Sequence, residues 1–125
     1  MQDNELTQKI IGCCMEVHKN LGPGLFESVY EEALCYELTK SSIPFTRQQD
    51  IPIQYKGITM EAGFRADIIV ADTVILEIKS VERMSPVYTK QLLTYLRLTG
   101  KRLGLLINFN VPLLKDGIER VVNGY

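Results

Sequence analysis

Phe64-Arg65-Ala66-Asp67-Ile68-Ile69-Val70-Ala71-Asp72-Thr73-Val74-Ile75-Leu76-Glu77-Ile78-Lys79 is the stretch on which the reading of this chain turns. Residues 64–71 and 74–79 are short, rich in β-branched side chains, and separated by the turn-prone Asp72-Thr73. They predict a β-hairpin. Side chains alternate across a strand, so Glu77 and Lys79 point to one face while Leu76 and Ile78 point to the other. Asp67 joins the Glu77 face only when the two residues are directly opposed, which requires a three-residue connection, Ala71 to Thr73, or a bulge. A two-residue loop puts Asp67 opposite Ile78 instead, because a slip of one residue moves every side chain to the other face.

With that register, two carboxylates and one ammonium share a face, the residue set that metal-assisted phosphodiester hydrolysis requires. Mg²⁺ prefers oxygen ligands, keeps several waters, and is typically held by one or two carboxylates together with substrate phosphate. Asp67 and Glu77 are the candidate ligands, the Ile78 carbonyl can complete the shell, and Lys79 is placed to orient or deprotonate the attacking water and offset charge on the phosphate. The alternative is an exposed strand pair with a solvated salt bridge from Lys79 to Glu77 or Asp67.

Length and composition set the frame. The 125 residues, 46% hydrophobic and 23% charged, predict one domain, 1–125, with a true core. No apolar run approaches the roughly 18 to 20 residues that span a bilayer, and the opening Met-Gln-Asp-Asn-Glu lacks the basic and then apolar pattern of a secretory signal. A cytoplasmic location and no membrane partner are expected. Cys13, Cys14 and Cys35 form neither a CxxC pair nor an even disulfide framework, so reduced, mostly buried thiols are expected. The net charge of −1 conceals segregation. Residues 1–42 carry seven acids and three bases, whereas 78–102 carry Lys79, Arg83, Lys90, Arg97, Lys101 and Arg102 against Glu82. The basic stretch suits a phosphate backbone, although a solvated helix face explains most such runs.

Outward from the hairpin, Leu6, Ile10, Cys14, Val17 and Leu21 fall at helical spacing and predict an amphipathic helix over about 4–20, stopped by Gly22-Pro23-Gly24. A second helix over roughly 25–40 directs Phe26, Val29, Tyr30, Ala33, Leu34 and Leu38 inward and Glu31, Glu32 and Glu37 outward. A strand from Phe45 turns at Lys56-Gly57 into another, Ile58 to Gly63. Ser85-Pro86 starts a third helix that runs to about Leu98 and ends at Gly100. Leu103 to Phe109 reads as a strand covered on both faces, and a short strand is expected near Ile118 to Val122.

Gly24-Leu25-Phe26-Glu27-Ser28-Val29-Tyr30, in its setting Val17 to Gly24, matches a Gly-x-x-Glu-x-x-Tyr signature. The chain thereby resembles the GxxExxY proteins of the PD-(D/E)XK nuclease-like superfamily, a likeness that extends through Asp67, Glu77-Ile78-Lys79 and Gln91-Leu92-Leu93-Thr94-Tyr95, which is similar to the Gln-x-x-x-Tyr of RecB-type nucleases. It departs in having Ala66, not proline, before Asp67. The resemblance implies an α/β fold with a restriction-endonuclease-like core, a central mixed β-sheet flanked by α-helices, and a metal centre at Asp67, Glu77 and Lys79.

Further candidates follow. Glu27, in the first turn of its helix, either lines the site or serves the helix end. Tyr30 bonds the pocket or packs. Gln91 and Tyr95, four apart on one helical face, either hold Glu77 and Lys79 and meet phosphate, or pack on the sheet. His18 with Cys14 supplies two ligands, short of a zinc site, and stacking at the Gly22-Pro23-Gly24 turn or a bond to a loop carbonyl is the simpler expectation. Arg65 either meets phosphate or neutralises a carboxylate. The expected activity is a small Mg²⁺-dependent nuclease, with Mn²⁺ able to substitute, acting on DNA or RNA. The alternatives are a catalytically inactive nuclease-like module binding nucleic acid or a protein partner, and a scaffold that pairs as a homodimer.

Overall fold

The computed structural model describes residues 3–124. In chain order the elements are α1 (Asp3–Leu21), α2 (Glu27–Lys40), β1 (Phe45–Tyr55), β2 (Ile58–Val70), β3 (Val74–Lys79), α3 (Pro86–Thr99), β4 (Leu103–Asn108), a 3₁₀ turn (Leu114–Gly117) and β5 (Ile118–Val122). The described residues form a five-stranded sheet in the order β1-β2-β3-β4-β5. Only β3 and β4 run parallel, and α3 supplies the crossover that a parallel pair needs.

Helices cover both faces, as expected. One core joins Leu6, Ile10, Cys14 and Val17 of α1, Tyr30, Leu34 and Leu38 of α2, and Ile68, Val70, Leu76, Ile78, Leu105 and Ile107 of the sheet. The other joins Leu92 and Leu96 of α3 with Ala66, Ile69, Ile75, Leu106 and Val121. Strands β3 and β4 lie between these layers and read as near-continuous apolar runs for that reason. Gly104 lets α3 approach, since a Cβ there would meet Leu92 at 2.9 Å. The caps of α3 are those expected: the Ser85 hydroxyl accepts from Val87 N, Pro86 opens the first turn, and Gly100 closes it at φ 71°.

The connection after β2 has the required length. Ile68 pairs with Leu76, Ile69 with Ile75 and Val70 with Val74, which leaves Ala71 to Thr73 as the loop. Ala71 and Asp72 both take left-handed backbone, φ 51° and 52°, and Thr73 N donates to the Val70 carbonyl at 2.9 Å.

Several expectations need correction. Strand β2 does not break at Gly63 but runs through it; a Cβ there would lie 1.9 Å from the Ile51 carbonyl oxygen, so glycine admits the register shift between Ile51 and Ile53. Phe26 is 82% exposed and Val29 half-buried at best, because Phe26 is the extended N-cap and the inward stripe is Tyr30-Leu34-Leu38 with Glu31-Cys35 beside it. Leu21, at the end of α1, is likewise exposed. Glu31, expected outward, is buried. The three cysteines are free and buried, as expected. Burial raises the pKa of each, which disfavours the nucleophilic thiolate. Among the described residues no helix is long and apolar enough to cross a membrane.

Candidate active site

The backbone ladder between β2 and β3 ends at Ile68–Leu76. One step further, side chains take over the pairing: Asp67 N donates to Glu77 Oε2 at 3.0 Å, and Ile78 N donates to Asp67 Oδ2 at 2.9 Å. Each carboxylate therefore accepts a main-chain amide from the opposite strand, a charge-assisted bond that holds it in one orientation. Alternation also fails here. Ala66 packs with the α3 layer and Ile68 with the α1 and α2 layer, although residues two apart on a regular strand share a face.

The electrostatics follow from burial and crowding. Glu77 is 7% exposed, and desolvation, followed by the neighbouring Asp67 charge, pushes its pKa up to about 7. Desolvation raises Asp67 as well, against the lowering bond from the Ile78 amide, while Glu31 adds a further like charge. Lys79 favours the ionised form of both acids, yet its ammonium rests 4.6 Å from the centroid of the Tyr88 ring. Among the described residues no group of three or more His, Cys, Asp and Glu side chains could hold a metal alone. What the chain supplies is a partial oxygen set, two partly desolvated carboxylates that repel each other. That set fits a hard divalent cation whose remaining ligands are water, carbonyl or phosphate oxygens.

Tyr95 stacks on Phe64, with centroids 3.8 Å apart and planes at 5°. Burial first, then Glu77 and Asp67, raises its pKa, and a hydrogen bond with Gln91 works the other way. Asp67, Glu77, Lys79, Gln91 and Tyr95 thus belong to one neighbourhood. Ile78 lends its amide to Asp67 and buries its side chain.

Glu27 stays exposed at the start of α2, and the acid of α2 whose charge reaches Asp67 and Glu77 is Glu31, one turn on. Glu31 lies on the inward side of α2, since Cys35 and Leu38, four and seven residues later, are both buried. Tyr30 packs, its ring stacked on Phe109 at 4.5 Å. Its hydroxyl donates to the Gly22 carbonyl and accepts from Leu25 N, which ties down the glycine-rich turn. His18 Nε2 lies 2.8 Å from the Val111 carbonyl, so that nitrogen carries the proton and donates to a loop. Arg65 meets a carboxylate, that of the exposed Asp50, at 2.9 Å. Of the basic run, Lys101 is occupied by Asp72, whereas Lys90 and Arg97 are exposed on α3.

The sequence matches the PD-(D/E)XK nuclease superfamily over residues 4–121, and the chain belongs to that superfamily. Members of it generally use divalent metal ions. The fold is similar to that in the crystal structure of an alkaline exonuclease (LHK-Exo) from Laribacter hongkongensis, at a TM-score of 0.51 and 20% identity, over 78% of this chain and 56% of that one. This chain therefore spans little more than half of that protein, and the likeness is one of fold, the restriction-endonuclease-like α/β core. No curated protein matches the sequence.

Proposed function

We propose that this chain acts as a single GxxExxY-type nuclease domain that hydrolyses phosphodiester bonds in DNA or RNA with Mg²⁺, or Mn²⁺ in its place. The observation that carries the reading is the reciprocal Asp67–Glu77 pair, two carboxylates fixed by main-chain amides and destabilised by each other. Asp67, Glu77 and the Ile78 carbonyl would hold the cation, which when bound supplies Lewis acidity and lowers the pKa of an attacking water. The side chains divide the remaining work. Lys79 swings from the Tyr88 ring to orient the water and balance charge on the phosphate, Gln91 and Tyr95 position the substrate phosphate, and Lys90 and Arg97 track the backbone. Glu27 in this scheme acts at the edge of the site. We further propose a cytoplasmic setting, in keeping with the free thiols, and a homodimer that extends the nucleic-acid surface.

Cleavage of single-stranded, duplex and branched DNA and RNA by purified protein, with Mg²⁺ or Mn²⁺ and with chelator, tests the reading. Metal-dependent cleavage lost in Asp67→Asn supports it; no cleavage of any substrate sinks it. The contact of Lys79 with Tyr88 favours a second reading, a nuclease-like module that binds nucleic acid or a protein partner without turnover. In that case Asp67→Ala leaves partner affinity intact.

A further inference from the structure

Five non-glycine residues among those described have positive φ, and four of them, Ser42, Lys56, Ala71 and Asp72, lie in turns. Gln48, at φ 52°, lies inside β1. Such backbone is costly for a side chain with a Cβ and persists only where the surroundings hold it. It sits between the pairs Arg47–Ile68 and Gln49–Ala66, opposite Asp67, where β2 loses its alternation. The conformation turns the Gln48 carboxamide toward the acids. Its Nε2 donates to Glu31 Oε1 at 2.7 Å and to Asp67 Oδ1 at 3.3 Å. Both partners are carboxylate oxygens that accept, so the nitrogen must be the end that faces them. The other oxygen of Glu31 accepts from Arg47 Nε at 2.6 Å. Glu31 is thus engaged at both oxygens and neutralised by Arg47, which makes it an anchor for Gln48.

We propose that Gln48 is a positioning residue of the cation centre: its carboxamide ties Asp67 to the anchored Glu31 and fixes the Asp67 carboxylate for cation binding. This rests on Asp67 and Glu77 being cation ligands. With Ile78 N on Oδ2 and Gln48 on Oδ1, the Asp67 carboxylate cannot rotate away from Glu77 under their mutual repulsion, and each oxygen keeps a second lone pair. Partners of this kind orient ligands and commonly change metal affinity by about 10- to 100-fold when removed.

The test is a Mn²⁺ titration followed by electron paramagnetic resonance, on wild type, Gln48→Met and Gln48→Gly. Methionine keeps the volume and removes both donors; glycine removes them while relieving the left-handed backbone, so it keeps the fold should the methionine variant fail. The expected result is a dissociation constant raised about tenfold in both variants with a wild-type circular dichroism spectrum. Mn²⁺ bound by wild type and equally well by both variants, or by the glycine variant alone, overturns the role of the carboxamide and leaves the cation reading standing. Failure of wild type to bind Mn²⁺ overturns both.

Discussion

The two halves of β2 behave as different materials. Ile68 to Val70 is held between β1 and β3, with helices above and below, and is almost completely buried. Ile58 to Arg65 pairs with β1 alone and forms a projecting arm with Tyr55, Ile58 and Met60 exposed at its outer end. Asp67 stands at the junction. The rigid half fixes the register that sets Asp67 against Glu77, and the end of the ladder leaves amides of both strands free to hold carboxylates. A site placed at such a junction has firm support on one side, with Glu77 buried and Asp67 partly exposed.

The largest effect that breaks this comparison is chemical. Asp67→Asn or Lys79→Ala should lower metal-dependent cleavage by about three orders of magnitude with the fold intact, measured as initial rates at saturating Mg²⁺. Next comes packing. Ile69→Ala, in the buried half of β2, should cost about 2 to 5 kcal/mol in denaturant unfolding, whereas Ile58→Ala, 61% exposed on the arm, should change stability by about 0.5 kcal/mol or less. Equal losses at the two positions would mean that the arm is covered.

The junction should also write itself into pH dependence. Glu77 is raised from 4.5 to about 7, so between those values the native state holds a proton that the unfolded chain releases. Metal-free stability is then fully present below about pH 4.5 and declines as pH rises to 7, by roughly 3 kcal/mol at most. Glu77→Gln should flatten that decline, and Mg²⁺ should offset it, in thermal melts with chelator or cation. A similarly small effect belongs to the Arg65–Asp50 pair on the arm, both partners exposed; Asp50→Ala should cost no more than about 1 kcal/mol.

Much of this architecture was legible locally. The β-branched runs, the caps of α3 and the buried β4 all follow from short-range rules. Phe26 escaped those rules because a helix boundary two residues late turns an inward position into an exposed cap. Glu31 escaped because charge argues for solvent, and only Arg47 and Gln48, 16 and 17 residues away, make its burial tolerable.

The sequence by itself determined that two neighbouring strands would each carry an acidic residue and that Glu77 and Lys79 would share a face, since side chains repeat with a period of two along a strand. Tertiary structure alone decided which acid of α2 would approach them, that Gln48 would take a left-handed backbone to reach both, and that Lys79 would rest on Tyr88. Periodicity is a property of neighbours along the chain; these contacts exist only because α2 and α3 dock on opposite faces of one sheet, and no local pattern encodes where those helices come to rest.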